Sequence, residues 1–88
     1  MRRDRLAVIH DILKIIRDNK NSIKPTPLLR KSNLSSQGFA EYYGELISGG
    51  FIQERELKGR RTISLTDKGF KYIEKYRSIL NFIDEFEL

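Results

Sequence analysis

The sequence predicts a mainly helical α+β fold, with three helices, a two-stranded hairpin and a long fourth helix in the order α-α-α-β-β-α. Three observations predict it. Apolar residues recur at helical spacing near both ends and in the middle of the chain, Gly49-Gly50 interrupts that pattern, and two β-type runs follow around a glycine. The chain has 88 residues, which is enough for one domain with a single modest core.

The first helix is predicted over about residues 3–19. It carries two neighbouring apolar stripes, formed by Leu6, Ile9, Leu13 and Ile16 and by Val8, Ile12 and Ile15. Together the stripes cover roughly half of the helix circumference. Because this is more than contact with one core requires, the second stripe is a candidate surface for another chain.

A short second helix is predicted over residues 27–32, after a turn at residues 19–22 and a possible short strand at Ile23. Thr26 is the expected N-cap, and Pro27 the expected first helical residue, where a missing N–H has no cost.

The third helix is predicted over residues 36–48, with Ser35 as its N-cap and Gly49-Gly50 as its end. Its inner face is expected to consist of Phe39, Tyr43, Leu46 and Ile47. It contains two glycines and two glutamates but no lysine or arginine, so strong base readout by this helix is not expected.

The hairpin is predicted from runs at residues 51–56 and 61–65, which flank Leu57-Lys58-Gly59-Arg60. The last helix is expected to begin after a Thr66 cap, with Asp67 in its positive first turn, and to end near Phe86. This order of elements is that of a winged helix-turn-helix domain, in which helices two and three form the helix-turn-helix and the hairpin is the wing.

Two segments resemble a known family. "LISGGFI" (46–52) and "ISLTDKGFKYIE" (63–74) are similar to the "L…GLI … Y.LT.KG" pattern of many archaeal and bacterial winged-helix regulators. Over nearly its whole length the chain resembles the small archaeal DNA-binding proteins typified by the Sulfolobus ten-kilodalton protein. The resemblance implies a winged helix at residues 1–66 and a dimerisation helix at residues 67–88, which pairs in an antiparallel coiled coil.

The charge distribution favours a polyanionic partner. The net charge is +5, and residues 81–88 carry three acids and no base, so the rest of the chain holds +8. A basic body of this kind is typical of nucleic-acid binding or of an anionic membrane surface. No apolar run approaches the ~18 residues of a membrane span, so we expect a cytoplasmic protein. With nucleic acid as the expected partner, we expect it to be nucleoid-associated and to have no membrane partner.

Candidate DNA-binding residues lie at the end of helix two, on the outer face and at the start of helix three, and on the wing: Arg30, Lys31, Ser35, Ser36, Gln37, Ala40, Glu41, Lys58, Arg60 and Arg61. The wing cations are expected to contact phosphates, and Gln37 is able to pair with adenine. Arg30 and Lys31 also suit the negative end of the helix dipole. Arg2, Arg3 and Arg5 form either a solvated end or an arm on DNA.

A candidate dimer interface is predicted on the last helix, where apolar residues step by three and four. With the second stripe of helix one it comprises Val8, Ile12, Ile15, Tyr72, Tyr76, Ile79, Leu80, Phe82, Ile83 and Phe86. A lone helix end that exposed the last five would leave an apolar patch in water. We therefore expect a homodimer.

Catalytic and metal-binding functions are not expected. The chain has no cysteine, and His10 is its single histidine, expected at the surface. A catalytic triad or a histidine-based metal site therefore cannot be assembled, and no cofactor or small-molecule ligand is indicated. The expected function is double-stranded DNA binding, as a transcriptional regulator or a chromatin-type architectural protein. The alternative is a winged-helix module for protein–protein interaction.

Overall fold

The computed structural model describes residues 3–88 and confirms the predicted order of elements. The elements are α1 (Arg5–Asp18), α2 (Pro25–Ser32), α3 (Ser36–Ser48), β1 (Ile52–Leu57), β2 (Arg60–Leu65) and α4 (Asp67–Glu85). No helix of this described part of the chain is long and apolar enough to cross a membrane.

Helix α1 is the centre of the core, because α2, α4 and β2 all pack against it. Both of its apolar stripes are therefore used within one chain. Val8 and Ile12 are only 5% and 1% exposed, so the prediction that they face a second chain is wrong. Ile15 is partly buried against the same core. The side chain of Leu6, at the start of the helix, is 52% exposed.

Helix α2 begins two residues earlier than predicted, at Pro25. Thr26 therefore lies inside the first turn, and its prediction as the N-cap is wrong. Both Pro25 and Pro27 fit in that turn, since its N–H groups have no helical partner in any case. Just before it, Ile23 forms the predicted short strand contact, an antiparallel bridge to Ile63 with N···O distances of 3.1 and 2.8 Å.

Helix α3 has the predicted bounds and the predicted cap. The Ser35 hydroxyl oxygen accepts a hydrogen bond from the Gly38 N–H at 3.0 Å. The helix ends at Ser48 with Gly49 as its C-cap, and Gly50 adopts the left-handed conformation, with φ of 78°. Phe39 and Leu46 are buried, whereas Ile47, predicted on the inner face, is 36% exposed.

Each strand of the hairpin reaches one residue further toward the tip than predicted, and the turn is tighter. Antiparallel pairing runs from Ile52↔Leu65 to Leu57↔Arg60, which leaves Lys58-Gly59 as a two-residue turn. Both turn residues have positive φ, 53° and 76°. A two-residue turn with positive φ at both positions has a backbone twist that matches the right-handed twist of the strands. The strands can therefore remain paired up to the tip.

The junction between the hairpin and α4 uses the side chains of the sequence "TDKG". The Thr66 hydroxyl donates to the Gly50 carbonyl at 2.5 Å and accepts from the Gly69 N–H at 3.3 Å. Lys68 Nζ donates to the Gly49 carbonyl at 2.7 Å. A Cβ on Gly69 would lie 2.3 Å from the Phe51 carbonyl oxygen. The motif therefore fixes α4 against the start of β1.

Helix α4 has two halves with different surroundings. In the first half Gly69 and Ile73 are buried, and the Tyr72 hydroxyl donates to the Leu6 carbonyl at 2.8 Å. Core packing thus continues past the expected boundary between residues 66 and 67. The second half projects from the domain, and the molecule measures 50 × 26 × 22 Å.

Candidate nucleic-acid interface

The outer face of the helix-turn-helix presents polar, small and acidic side chains and no cation from α3. Gln37, Ala40 and Glu41 are all exposed on α3, as is Ser36 in its first turn. The Ser35 hydroxyl is engaged in capping the helix. Since α3 has no cation, its part of the surface cannot supply the charge that phosphate contacts require.

The acidic charge of α3 is partly neutralised from α1. An Arg5 guanidinium nitrogen lies 2.6 Å from a Glu45 carboxylate oxygen. The hydrogen bond to Glu45 raises the pKa of Arg5 above its ordinary value. Arg5 also lies over the ring of Tyr42, 5.9 Å from its centroid. This arginine is therefore held by the domain.

Arg3 is held in a similar way. It donates to Asp11 at 2.8 Å and to the Ser32 carbonyl at 3.2 Å. The structure therefore places Arg3 and Arg5 in ion pairs with the domain. This arrangement is neither the solvated end nor the arm on DNA that the sequence suggests. Arg2 lies outside the described residues.

The end of α2 adds two cations beside α3. Arg30 and Lys31 are exposed, and Lys31 Nζ donates to Asn19 Oδ1 at 3.5 Å. Arg30 has no ion pair within residues 3–88. Its guanidinium is free to contact an anion.

The three predicted wing cations lie on two faces of the hairpin. Arg60 pairs with Leu57 and Arg61 with Glu56, so these consecutive arginines point in opposite directions. Lys58 at the turn and Arg60 are exposed and form no ion pair within the described part of the chain. Arg61 lies on the other face, the one that carries the buried residue Ile63.

Arg61 belongs to a polar cluster between the wing and α3. Its Nη1 lies 3.9 Å from Glu54 Oε2, and the Tyr43 hydroxyl donates to the same carboxylate oxygen. Burial, together with the hydrogen bond to Glu54, raises the pKa of Tyr43 well above its usual range, so the hydroxyl remains a donor. This cluster links the wing to the helix.

Sequence reasoning missed Glu54 and assigned Tyr43 to the core alone. The signal was present in strand alternation, because Glu54 is two residues from the buried Ile52 and must share its face. Only the pairing register shows that Arg61 lies on that face as well.

His10 is not the surface residue that the sequence predicts. Its side chain is 18% exposed, and its ring stacks on Tyr76 of α4 with centroids 4.4 Å apart. Burial lowers the pKa of His10, while Asp11 opposes that shift. No group of residues between 3 and 88 is arranged to hold a metal ion.

The projecting half of α4 exposes large apolar side chains. Ile79, Leu80, Phe82, Ile83 and Phe86 are each between 40% and 58% exposed. The rings of Phe82 and Phe86 contact each other, with centroids 4.9 Å apart. Of the other residues predicted for this surface, Tyr72 and Tyr76 instead pack on α1 and on each other.

Comparison with known proteins agrees with this architecture. A family model described as winged helix-turn-helix matches residues 2–84. An uncharacterised protein of Methanocaldococcus jannaschii is 28% identical over 83 residues, which are 94% of this chain and 36% of that protein. The chain thus spans about a third of that relative's length.

Three solved structures share the fold. Sso10a-2, a DNA-binding protein from Sulfolobus solfataricus, has a TM-score of 0.76 at 15% identity, over 97% of this chain and 86% of that one. F93 from STIV, a winged-helix DNA-binding protein, has a TM-score of 0.74 at 20% identity, over 90% and 91% of the two chains. SSV1 F-93 has a TM-score of 0.69 at 24% identity, over the same two shares.

These neighbours are of the type that the sequence motifs resemble, so the suspected relationship is confirmed at the level of fold and family. From the match over residues 2–84 and the observed order of helices and wing, the chain belongs to the winged helix-turn-helix family.

Proposed function

We propose that this protein binds double-stranded DNA as a dimer, with α3 at the major groove and the wing on the phosphate backbone. The observation that carries the proposal is the wing tip, where Lys58 and Arg60 are exposed and lack ion-pair partners within residues 3–88. Two of the solved structures with this fold are of proteins described as DNA-binding.

Phosphate contacts supply most of the affinity in this proposal. The exposed cations lie at the wing tip and at the end of α2, whereas α3 has none. Such contacts position a protein on the duplex but carry no sequence information. We therefore expect a modest sequence preference, set by α3 and by the shape of the duplex.

Dimerisation follows from the projecting half of α4. Burial of each of its exposed large side chains is worth roughly 1.5 to 3 kcal/mol, and an apolar patch of this kind in water marks an interaction surface. The proposed occupant is the same helix of a second copy. A twofold dimer would present two α3 helices, which favours a pair of half-sites.

In the cell this activity corresponds to a transcriptional regulator or to a chromatin-type architectural protein on the nucleoid. A protein-interaction module is the second candidate, because Glu41 and the neutral face of α3 offer little attraction to DNA. The two candidates differ in their response to salt, since binding through phosphates weakens steeply as salt rises.

The test is a salt titration of binding to a random-sequence duplex. We expect the logarithm of the affinity to fall linearly with the logarithm of salt concentration. Replacing Lys58 and Arg60 together with alanine should lower the slope by about 1 unit for each phosphate that these side chains neutralise. Lys14→Ala with Lys71→Ala removes the same charge from α1 and α4 and should leave the slope nearly unchanged. A folded wing variant with the parent slope would overturn the assignment of the wing.

A further inference from the structure

A cleft of about 250 Å³ separates α3 from the wing. Its helix wall is formed by Phe39, Ala40, Tyr43 and Gly44, and its wing wall by Glu54 and Arg61. Pro25, the first residue of α2, completes the lining. Ala40 and Gly44 of this lining are exposed, so the cleft opens beside the outer face of α3 that the proposed function assigns to DNA.

The polar side chains that line the cleft contact one another. The Glu54 carboxylate accepts from Tyr43 and lies beside Arg61. The remaining helix wall is apolar, since Ala40 contributes a methyl group, and a Cβ on Gly44 would meet no atom within 4 Å. An occupant of this cleft must therefore be apolar on the side that faces α3.

We propose that the cleft receives the C5-methyl group of thymine in the major groove and so determines which base pairs this protein prefers. The inference rests on the proposed function. Among the groups that base pairs present in the major groove, the thymine methyl is the apolar one, and alanine is among the side chains that contact it.

The position of the cleft on α3 supports this assignment. Gln37, Ala40 and Gly44 are spaced by three and four residues and share one face of the helix. Gln37 is suited to adenine through its N6 and N7 positions. The Gln37 amide, which suits adenine, and the apolar cleft, which suits the thymine methyl group, together favour A·T pairs. The exposed cations at the wing tip attract the phosphates that flank such a site.

The experiment compares binding to one A·T-rich mixed-sequence duplex and to the same duplex with deoxyuridine in place of thymidine. Deoxyuridine pairs in the same way and lacks only the methyl group. We expect weaker binding to the deoxyuridine duplex, by about fourfold for each methyl group contacted. A G·C duplex should gain affinity when its cytosines are replaced by 5-methylcytosine, which presents a methyl group at the same position.

The variant Gly44→Leu fills the cleft with a good helix former, and it should bind the thymidine and deoxyuridine duplexes equally. Ser48→Leu adds the same side chain one turn later, outside the cleft, and should keep the parent's discrimination. Thermal unfolding checks that both variants are folded.

Equal affinity of the parent for the two duplexes would overturn the inference, and salt-dependent binding in the same assay would leave the proposed function standing. Absence of any salt-dependent binding would overturn both. Discrimination that survives in Gly44→Leu, or that disappears in Ser48→Leu as well, would remove the cleft from base recognition. If the parent binds the two duplexes equally and a small aromatic compound abolishes that binding, the cleft would be assigned to such a ligand instead.

Discussion

At the scale of single residues, two glycines have opposite surroundings, and the one in α4 shows how that helix is held in position. A Cβ on Gly69 would meet a backbone oxygen at 2.3 Å, whereas one on Gly44 would meet nothing within 4 Å. The first glycine permits two elements to approach closely, and the second lowers the helix propensity of α3.

We expect Gly69→Ala to lower the free energy of unfolding by about 1 to 3 kcal/mol, because α4 must move away from the Phe51 carbonyl. Gly44→Ala is the matched control and should raise stability by up to about 1 kcal/mol. Urea denaturation of both variants measures the difference. Equal stability of the two would show that the α4 junction is not tightly packed.

His10 should make stability depend on pH. Burial against Tyr76 lowers its pKa below the ordinary value of 6.5. As pH falls, the unfolded chain therefore binds the proton first, and the stability present above pH 6.5 is lost as pH falls through the folded pKa. Asp11 opposes the shift, while Lys14 and Arg17 reinforce it.

The parent should therefore lose more thermal stability between about pH 7.5 and pH 5 than His10→Gln does. Calorimetry or circular dichroism at both pH values measures this difference. Identical pH dependence in the two proteins would mean that His10 titrates as it does in the unfolded chain.

At the scale of elements, the hairpin and α3 are joined by the cluster of Tyr43, Glu54 and Arg61. Glu54→Ala should release Arg61 toward phosphate and raise the salt slope of DNA binding by up to about 1 unit. Glu56→Ala removes the same charge from the same face of β1 and should change the slope less. A slope that is equal in the two variants would show that Glu54 does not restrain Arg61.

Local signals in the sequence predict most of these elements. Ser35 and Thr66 cap the helices as expected, and Gly50 takes the left-handed position. The start of α2 was missed because "PTPLLRKS" allows a first turn at either proline. Helical periodicity identified the apolar residues of α1 but not the number of elements that pack on them, so Val8 and Ile12 were assigned to a second chain.

The candidate site is less predictable from the sequence than the elements are, because local patterns do not show which elements pack together or in which strand register. Exposure of Gln37 and of the wing cations follows from composition and helical spacing. The opposite directions of Arg60 and Arg61, and the contact of Glu54 with Tyr43, depend on a strand register that the turn sets. A two-residue turn of Lys58-Gly59 is one of several that "LKGR" permits.

At the scale of the whole molecule, the shape is dominated by the projecting half of α4, which gives a longest dimension of 50 Å. Ile83→Glu places a charge within its apolar surface and should convert a dimer to a folded monomer, because Ile83 is exposed in the single chain. Asn81→Glu adds the same charge to the other side of the helix and should remain dimeric. Light scattering at tens of micromolar distinguishes the two. A parent protein that is already monomeric would mean that this surface has another partner.

The central claim is that two copies of this chain bind one DNA duplex through phosphate contacts. Sedimentation equilibrium of the protein with a short random-sequence duplex measures the mass of the complex directly. The account predicts that the complex at low salt contains two chains of 10.4 kDa on each duplex, and that it dissociates as salt is raised. A complex with one chain per duplex at every protein concentration, or no complex at low salt, would contradict it.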